Sequence, residues 1–234
     1  MLDVHARWLP ELLPNVNHYA FNMRCHSLAY NTDREDFPVA GGMYESLLDG
    51  EKDLHAAVAF LREEGFEKII VCGHSSGGYY AGMYAPAEQD IVGRIFFSPL
   101  TDNKVALSWW FPREGQLEGA LSHAKELWSK GKPDGLIPLD SWYWAISARS
   151  LIERAAQPDS QVWLSAVNKL KSPVLMGWSA TESRDELWSN LFGKLNPEKY
   201  LLRLDGSDHW YRGQEQVVAS SVSSFIERVT GIHA

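Results

Sequence analysis

The sequence predicts an α/β fold: a mostly parallel, doubly wound sheet with helices on both faces. Three observations predict it. Short apolar runs alternate with segments of helical periodicity along most of the 234 residues, the pattern of strand–helix–strand units covered on both sides. One run, Glu67-Lys68-Ile69-Ile70-Val71-Cys72, leads directly into Gly73-His74-Ser75-Ser76-Gly77 and a helix-competent segment. Some 70 residues between the strands near 97 and 174 break the alternation, and a stretch that long without structure of its own is unusual in a compact domain.

The elements follow in chain order. Residues 3 to 13 read as a helix with Trp8, Leu9, Leu12 and Leu13 on one side. Asn17 to Met23 reads as a strand, and a polar stretch with Gly41 and Gly42 follows. A helix over about 45 to 64 sets Leu54, Ala57, Val58 and Leu61 at helical spacing. The run before Gly73 is a strand and the segment after Ser75 a helix. Arg94 to Pro99, Lys171 to Trp178 and Tyr200 to Leu204 hold further strands. The last helix, about 213 to 229, carries Val218, Val222, Phe225, Ile226 and Val229 on one stripe. The irregular stretch contains helical segments at 116 to 130 and 145 to 157 and is rich in tryptophan. It reads as an inserted helical cap over 100 to 171, on a core of 1 to 99 and 172 to 234. Its aromatics either line an apolar pocket or fasten the cap to the body.

Composition narrows the function classes. Lys and Arg number 22 against 30 Asp and Glu, a net charge of −8, which disfavours nucleic acid and anionic membrane surfaces as partners. No apolar run approaches a membrane span. The opening residues lack the basic and apolar regions of a secretory signal. Two cysteines, Cys25 and Cys72, make no disulfide framework, and a reducing cytoplasm is the expected setting. Cys72, inside the strand, is expected in the core. The eight histidines show no metal-ligand spacing, so neither metal nor cofactor is expected.

Gly-x-Ser-x-Gly between strand and helix is the form of a nucleophile elbow, in which Ser75 sits on a tight turn with its hydroxyl clear of the sheet. Gly73 and Gly77 are expected to permit the turn and the close approach of the helix. A serine hydroxyl needs an adjacent base, and the base needs a carboxylate to hold its tautomer.

Together with Trp178 to Glu182 and Asp205 to Trp210, the elbow resembles the α/β-hydrolase superfamily, over nearly the whole chain. Members of that family place nucleophile, acid and histidine at these three places in this order. The resemblance implies Ser75 as nucleophile, His209 as base and Glu182 as acid. Asp185 is the alternative acid, and Asp208 a poorer one because it adjoins His209. The amide of Ser76 is the implied oxyanion-hole donor. His74, Trp109, Trp142, Trp144 and Trp210 are candidates for the substrate pocket.

Two family features have no counterpart here: a His-Gly loop before the first helix, and a strand between the strand at 17 to 23 and the elbow strand. The resemblance therefore implies a sheet without its early strands, an N-terminally shortened hydrolase. Its strand at 17 to 23 would pair with the elbow strand or leave an open edge. A second oxyanion donor would then come from upstream residues or from a loop near 24 to 27. A chain lacking that donor is expected to be slower by about 10² to 10³. Arg24 is expected to brace its loop. The implied activity is cleavage of a carboxylic ester, with an apolar or aromatic group favoured, through an acyl-enzyme on Ser75. The alternatives are a ligand-binding protein of the same fold with little turnover, and an acyltransferase, thioesterase or amidase using the same residues.

Overall fold

The computed structural model describes residues 5–32, 35, 39–47, 49–85, 90–140, 145–156 and 160–233. In chain order these form α1 (His5–Leu12), β1 (Tyr30–Asn31), β2 (Val39–Ala40), a 3₁₀ turn (Gly42–Tyr44), α2 (Asp49–Glu63), β3 (Ile69–His74), α3 (Ser76–Met83) and β4 (Ile91–Phe97). There follow α4 (Asn103–Trp110), α5 (Gln116–Ser129), β5 (Leu136–Pro138), β6 (Ala145–Ser147), α6 (Ala148–Ala156), α7 (Ser160–Val167), β7 (Val174–Ser179), α8 (Asp185–Gly193), β8 (Lys199–Leu204) and α9 (Glu215–Thr230). Among them no helix is long and apolar enough to cross a membrane. The chain divides into two compact units, one of residues 22–53 and 102–162, the other of 2–21, 54–101 and 163–234.

The second unit holds a four-stranded parallel sheet in the order β3-β4-β7-β8. Pairings such as His74 with Phe97, Phe97 with Gly177 and Ser179 with Leu204 bring all four carboxyl ends to one edge, where open α/β sheets bind ligands. One face carries α1 and α9: Leu9, Leu13, Ile95, Phe97, Leu175, Leu202, Val218, Val222 and Phe225 form a single cluster. On the other face Trp163 is fully buried. Its ring lies edge-on to Phe96 at 5.2 Å and its Nε1 donates to Gly78 O at 3.3 Å. Trp163, within the stretch that the sequence reads as inserted, thus packs against the sheet, as one of the two readings of its aromatics expects.

Two expectations are corrected in this unit. Residues 17 to 23 form no strand. Their side chains at 17 to 20 are exposed, and among the described residues no strand pairs with them, so their backbone groups have no ladder to join. Cys72 is exposed rather than buried. β3 pairs with β4 on one side and, among the described residues, with no strand on the other. A groove of about 580 Å³ runs beside it, walled by Ile70, Cys72, Tyr19, Leu54, Val58 and Val222.

The first unit contains α4, α5, α6, the antiparallel pair β5–β6 and the small pair β1–β2. Leu107, Phe111, Ala124, Ile137, Ile146 and Leu151 pack into its core. Arg154, only 3% exposed, pairs with Glu45, donates to Asn103 Oδ1 at 3.0 Å and lies over the Trp110 ring. Arg24 braces its loop as expected, with its amide and Nε on the Asp53 carboxylate at 2.8 and 2.7 Å.

Candidate active site

Ser75 follows β3 directly and adopts φ 54, ψ −118, a sparsely populated conformation for a residue with a side chain. The turn is held from three sides. Ser75 N donates to Phe97 O at 2.9 Å, and Ser75 O accepts from Gly78 N at 3.0 Å and Leu100 N at 2.9 Å. A Cβ on Gly73 would lie 2.2 Å from Gly77 O, and one on Gly78 would lie 2.8 Å from the Pro99 Cβ. A Cβ on Gly77 would meet nothing within 4 Å. The close approach therefore depends on Gly73 and Gly78, not on the Gly77 of the motif. Ser76 opens α3, and a residue in that position has no intrahelical acceptor for its amide.

The loops after β7 and β8 carry Glu182 and His209. His209 Nδ1 lies 2.6 Å from Glu182 Oε2. A carboxylate only accepts, so Nδ1 carries the proton and Nε2 is left as a base. The loops are tied together by Ser179 Oγ, which donates to Ser207 O at 2.6 Å, and by Thr181 Oγ1 on the same carbonyl. Burial pushes the Glu182 carboxyl up. Hydrogen bonds from His209, Ser98 and the Ser179 amide outweigh it and hold the group below the usual carboxylate range.

His74 links this pair to the elbow. Its Nε2 donates to His209 O at 2.8 Å, and the two rings lie 4.5 Å apart. His74, the residue before Ser75, is thus turned to the His209 backbone. Trp210, 38% exposed, has its ring 5.0 Å from that of His74 and 5.3 Å from that of His209. Of the other pocket candidates, Trp109 is half-exposed on α4 in the first unit. Trp142 and Trp144 lie outside the described residues.

The alternative acids are engaged elsewhere. Asp185 forms a two-point pair with Arg203, both contacts at 2.8 Å, and accepts from Trp178 Nε1 at 2.7 Å. Arg203, then Trp178, bring its carboxyl down to about 2. Asp208 accepts the amides of Trp210 at 2.9 Å and Arg212 at 3.1 Å and pairs with the Arg212 side chain.

Two residues that sequence reasoning missed stand behind Glu182. Ser98 Oγ donates to Glu182 Oε1 at 2.5 Å and meets the Tyr211 hydroxyl at 2.7 Å. Their one sequence signal is faint: Ser98 is the polar end of an apolar strand, and Tyr211 follows the base by two residues.

Comparison with known proteins agrees with this architecture. The search of curated proteins finds no match. Among solved structures, the monoacylglycerol lipase of Paleococcus ferrophilus is similar with a TM-score of 0.65 and 18% identity, over 98% of this chain and 92% of that one. Est1E from Butyrivibrio proteoclasticus superposes with a TM-score of 0.61 and 19% identity, over 82% and 74%. The α/β hydrolase GrgF from Penicillium sp. sh18 gives 0.58 and 16%, over 83% and 76%. At these identities the likeness speaks for the fold. The model described as Alpha/beta hydrolase family matches residues 3–220, a span that includes the elbow, the acid and the histidine; the chain belongs to the α/β hydrolase family.

Proposed function

We propose that the protein is a serine hydrolase that cleaves a carboxylic ester through an acyl-enzyme on Ser75. The observation that carries this reading is the 2.6 Å hydrogen bond from His209 to Glu182, with the His209 backbone held by His74, the residue next to a strained Ser75. Ser75 Oγ attacks the ester carbonyl carbon while His209 Nε2 takes its proton. The carbonyl oxygen becomes an oxyanion facing the amide of Ser76, and each such donor typically contributes about 3 kcal/mol in the transition state. Collapse breaks the C–O bond, and the departing alcohol leaves with the proton from His209. Water then repeats the sequence on the acyl-enzyme, releasing the carboxylic acid and restoring Ser75. Glu182, held ionised by its hydrogen bonds, stabilises the imidazolium at both stages.

Ester cleavage is preferred because it asks least of the site: the alcohol leaves readily, and water is a sufficient acceptor. The ferulic acid complex of Est1E and the monoacylglycerol lipase share the fold and support an acyl ester. Trp210 beside His209 favours an apolar or aromatic group. Hydrolysis of p-nitrophenyl esters by wild type and Ser75→Ala tests the reading, together with labelling by a fluorophosphonate. Turnover lost in the variant and one label per chain at Ser75 are expected. Undiminished turnover in the variant rejects Ser75, and a wild type that neither turns over nor labels favours a binding protein of this fold.

A further inference from the structure

We propose that Ser98, backed by Tyr211, is a positioning residue for the triad acid: it anchors one oxygen of Glu182 so that the other faces His209. The inference rests on the proposed triad and concerns how its carboxylate is held.

A buried carboxylate must stay ionised to support an imidazolium, and it stays ionised only if donors replace its lost water. Glu182 Oε2 is taken by His209. Oε1 has Ser98 Oγ at 2.5 Å and the Ser179 amide at 3.2 Å. The Ser98 bond is thus the short one, in the range of O–H donors to ionised acceptors. Its direction is settled by proton counting. The carboxylate only accepts, so the Ser98 proton points to Glu182, and Ser98 Oγ is left to accept from Tyr211. Burial pushes the Tyr211 phenol up, so it remains a neutral donor. Its proton is shared between Ser98 Oγ and Gly177 O, the latter at 3.0 Å. Gly177 O also takes the Ser98 amide at 2.7 Å. The chain Tyr211, Ser98, Glu182, His209 therefore closes on itself, because Tyr211 lies in the histidine's own loop. It ties together the ends of β4 and β7 and the loop after β8.

Backbone strain marks the same residues. Among the described residues the non-glycine positions with positive φ are Ser27, Ser75, Ser98 at 41° and Tyr211 at 59°. Two of these four belong to this cluster and a third, Ser75, is the proposed nucleophile; such strain persists where surrounding structure over-determines it, commonly at functional sites. Both Ser98 and Tyr211 are fully buried. Neither is placed to touch substrate, so the role is positioning.

The test compares Ser98→Ala, Ser98→Gly and Tyr211→Phe with wild type. Glycine relieves the positive φ while alanine does not, so a loss shared by both belongs to the hydroxyl and not to strain. The readouts are kcat and KM for a p-nitrophenyl ester across pH, and ¹³C carboxyl titration of Glu182, whose signal is identified by its loss in Glu182→Gln. The expected result is a fall in kcat of about 10- to 100-fold with KM within about twofold. The acid limb moves to higher pH, and the Glu182 titration rises. Tyr211→Phe moves each the same way by less. Wild-type kcat and an unmoved Glu182 titration in both Ser98 variants, with only a lower melting temperature, would overturn the proposal. If both fail to fold, Ser98→Cys, with its weaker donor, must show the raised titration, and an unmoved one overturns the proposal. A wild type that turns over no ester, yet shows the raised Glu182 titration on losing Ser98, sinks the hydrolase reading and leaves the anchor standing.

Discussion

The two flanks of one four-stranded sheet are built to different standards. Around the ends of β4, β7 and β8 each polar group of the candidate site is specified: Glu182 by His209, Ser98 and Ser179, and the histidine loop by Ser179, Thr181 and His74. Along β3, partly buried Ile70 and exposed Cys72 border a groove on the side where, among the described residues, no strand pairs with β3. Ser75 stands on the turn that follows β3. The difference teaches where the tolerance lies. A carboxylate–imidazole pair works only at one geometry, while an apolar strand edge needs only coverage.

The largest effect is expected at Glu182. Glu182→Gln is expected to lower kcat by about 10³- to 10⁴-fold, because Ser98 and the Ser179 amide claim the new side chain's oxygen, so its NH₂ faces Nδ1 and the imidazolium loses its counter-charge. Asp185→Asn should change kcat by no more than about fivefold, since Asp185 serves Arg203 and Trp178. Equal losses in steady-state ester assays would move the acid to position 185.

Next come the two faces of the core. Trp163→Ala is expected to cost about 3–5 kcal/mol in denaturant unfolding, the range for emptying a fully buried aromatic site. Ile70→Ala, on the groove side, should cost less, about 1–2 kcal/mol, because that side chain is only partly buried. A cost at Ile70 as large as at Trp163 would show that the strand edge is covered in solution.

A smaller effect follows from pH. The Glu182 carboxyl is held below its ordinary value in the folded protein, so its stabilising contribution is present above the unfolded pKa of roughly 4.3. It is lost as pH falls through the lower folded value. The gap in melting temperature between wild type and Glu182→Gln should therefore narrow from pH 6 to pH 3. A gap independent of pH would mean that the carboxylate is not the stabilised form.

The smallest effect is at the cysteines. Cys72→Ser should leave stability within about 0.5 kcal/mol. In the native protein Cys72 should react with a thiol reagent, while Cys25 is protected by burial and by Glu45 and Asp53, which push its thiol up. Equal protection of both would again place a cover on β3.

The amino-acid sequence by itself determined the elements whose reasons are local. Gly73 leaves room for a turn that no larger residue allows, and the apolar runs of β4, β7 and β8 alternate with helices α3, α8 and α9. The order of Ser75, Glu182 and His209 along the chain was legible for the same reason, since each follows a strand end. Tertiary structure alone decided what depends on distant partners. Arg203 and Trp178 divert Asp185, and Ser98 holds Glu182 across 84 positions of chain. The same is true of the stretch at 17 to 23 and of Cys72. Alternation of side chains marks a residue as able to join a sheet, but backbone hydrogen bonds need a neighbouring strand, and only the assembled chain supplies or withholds one.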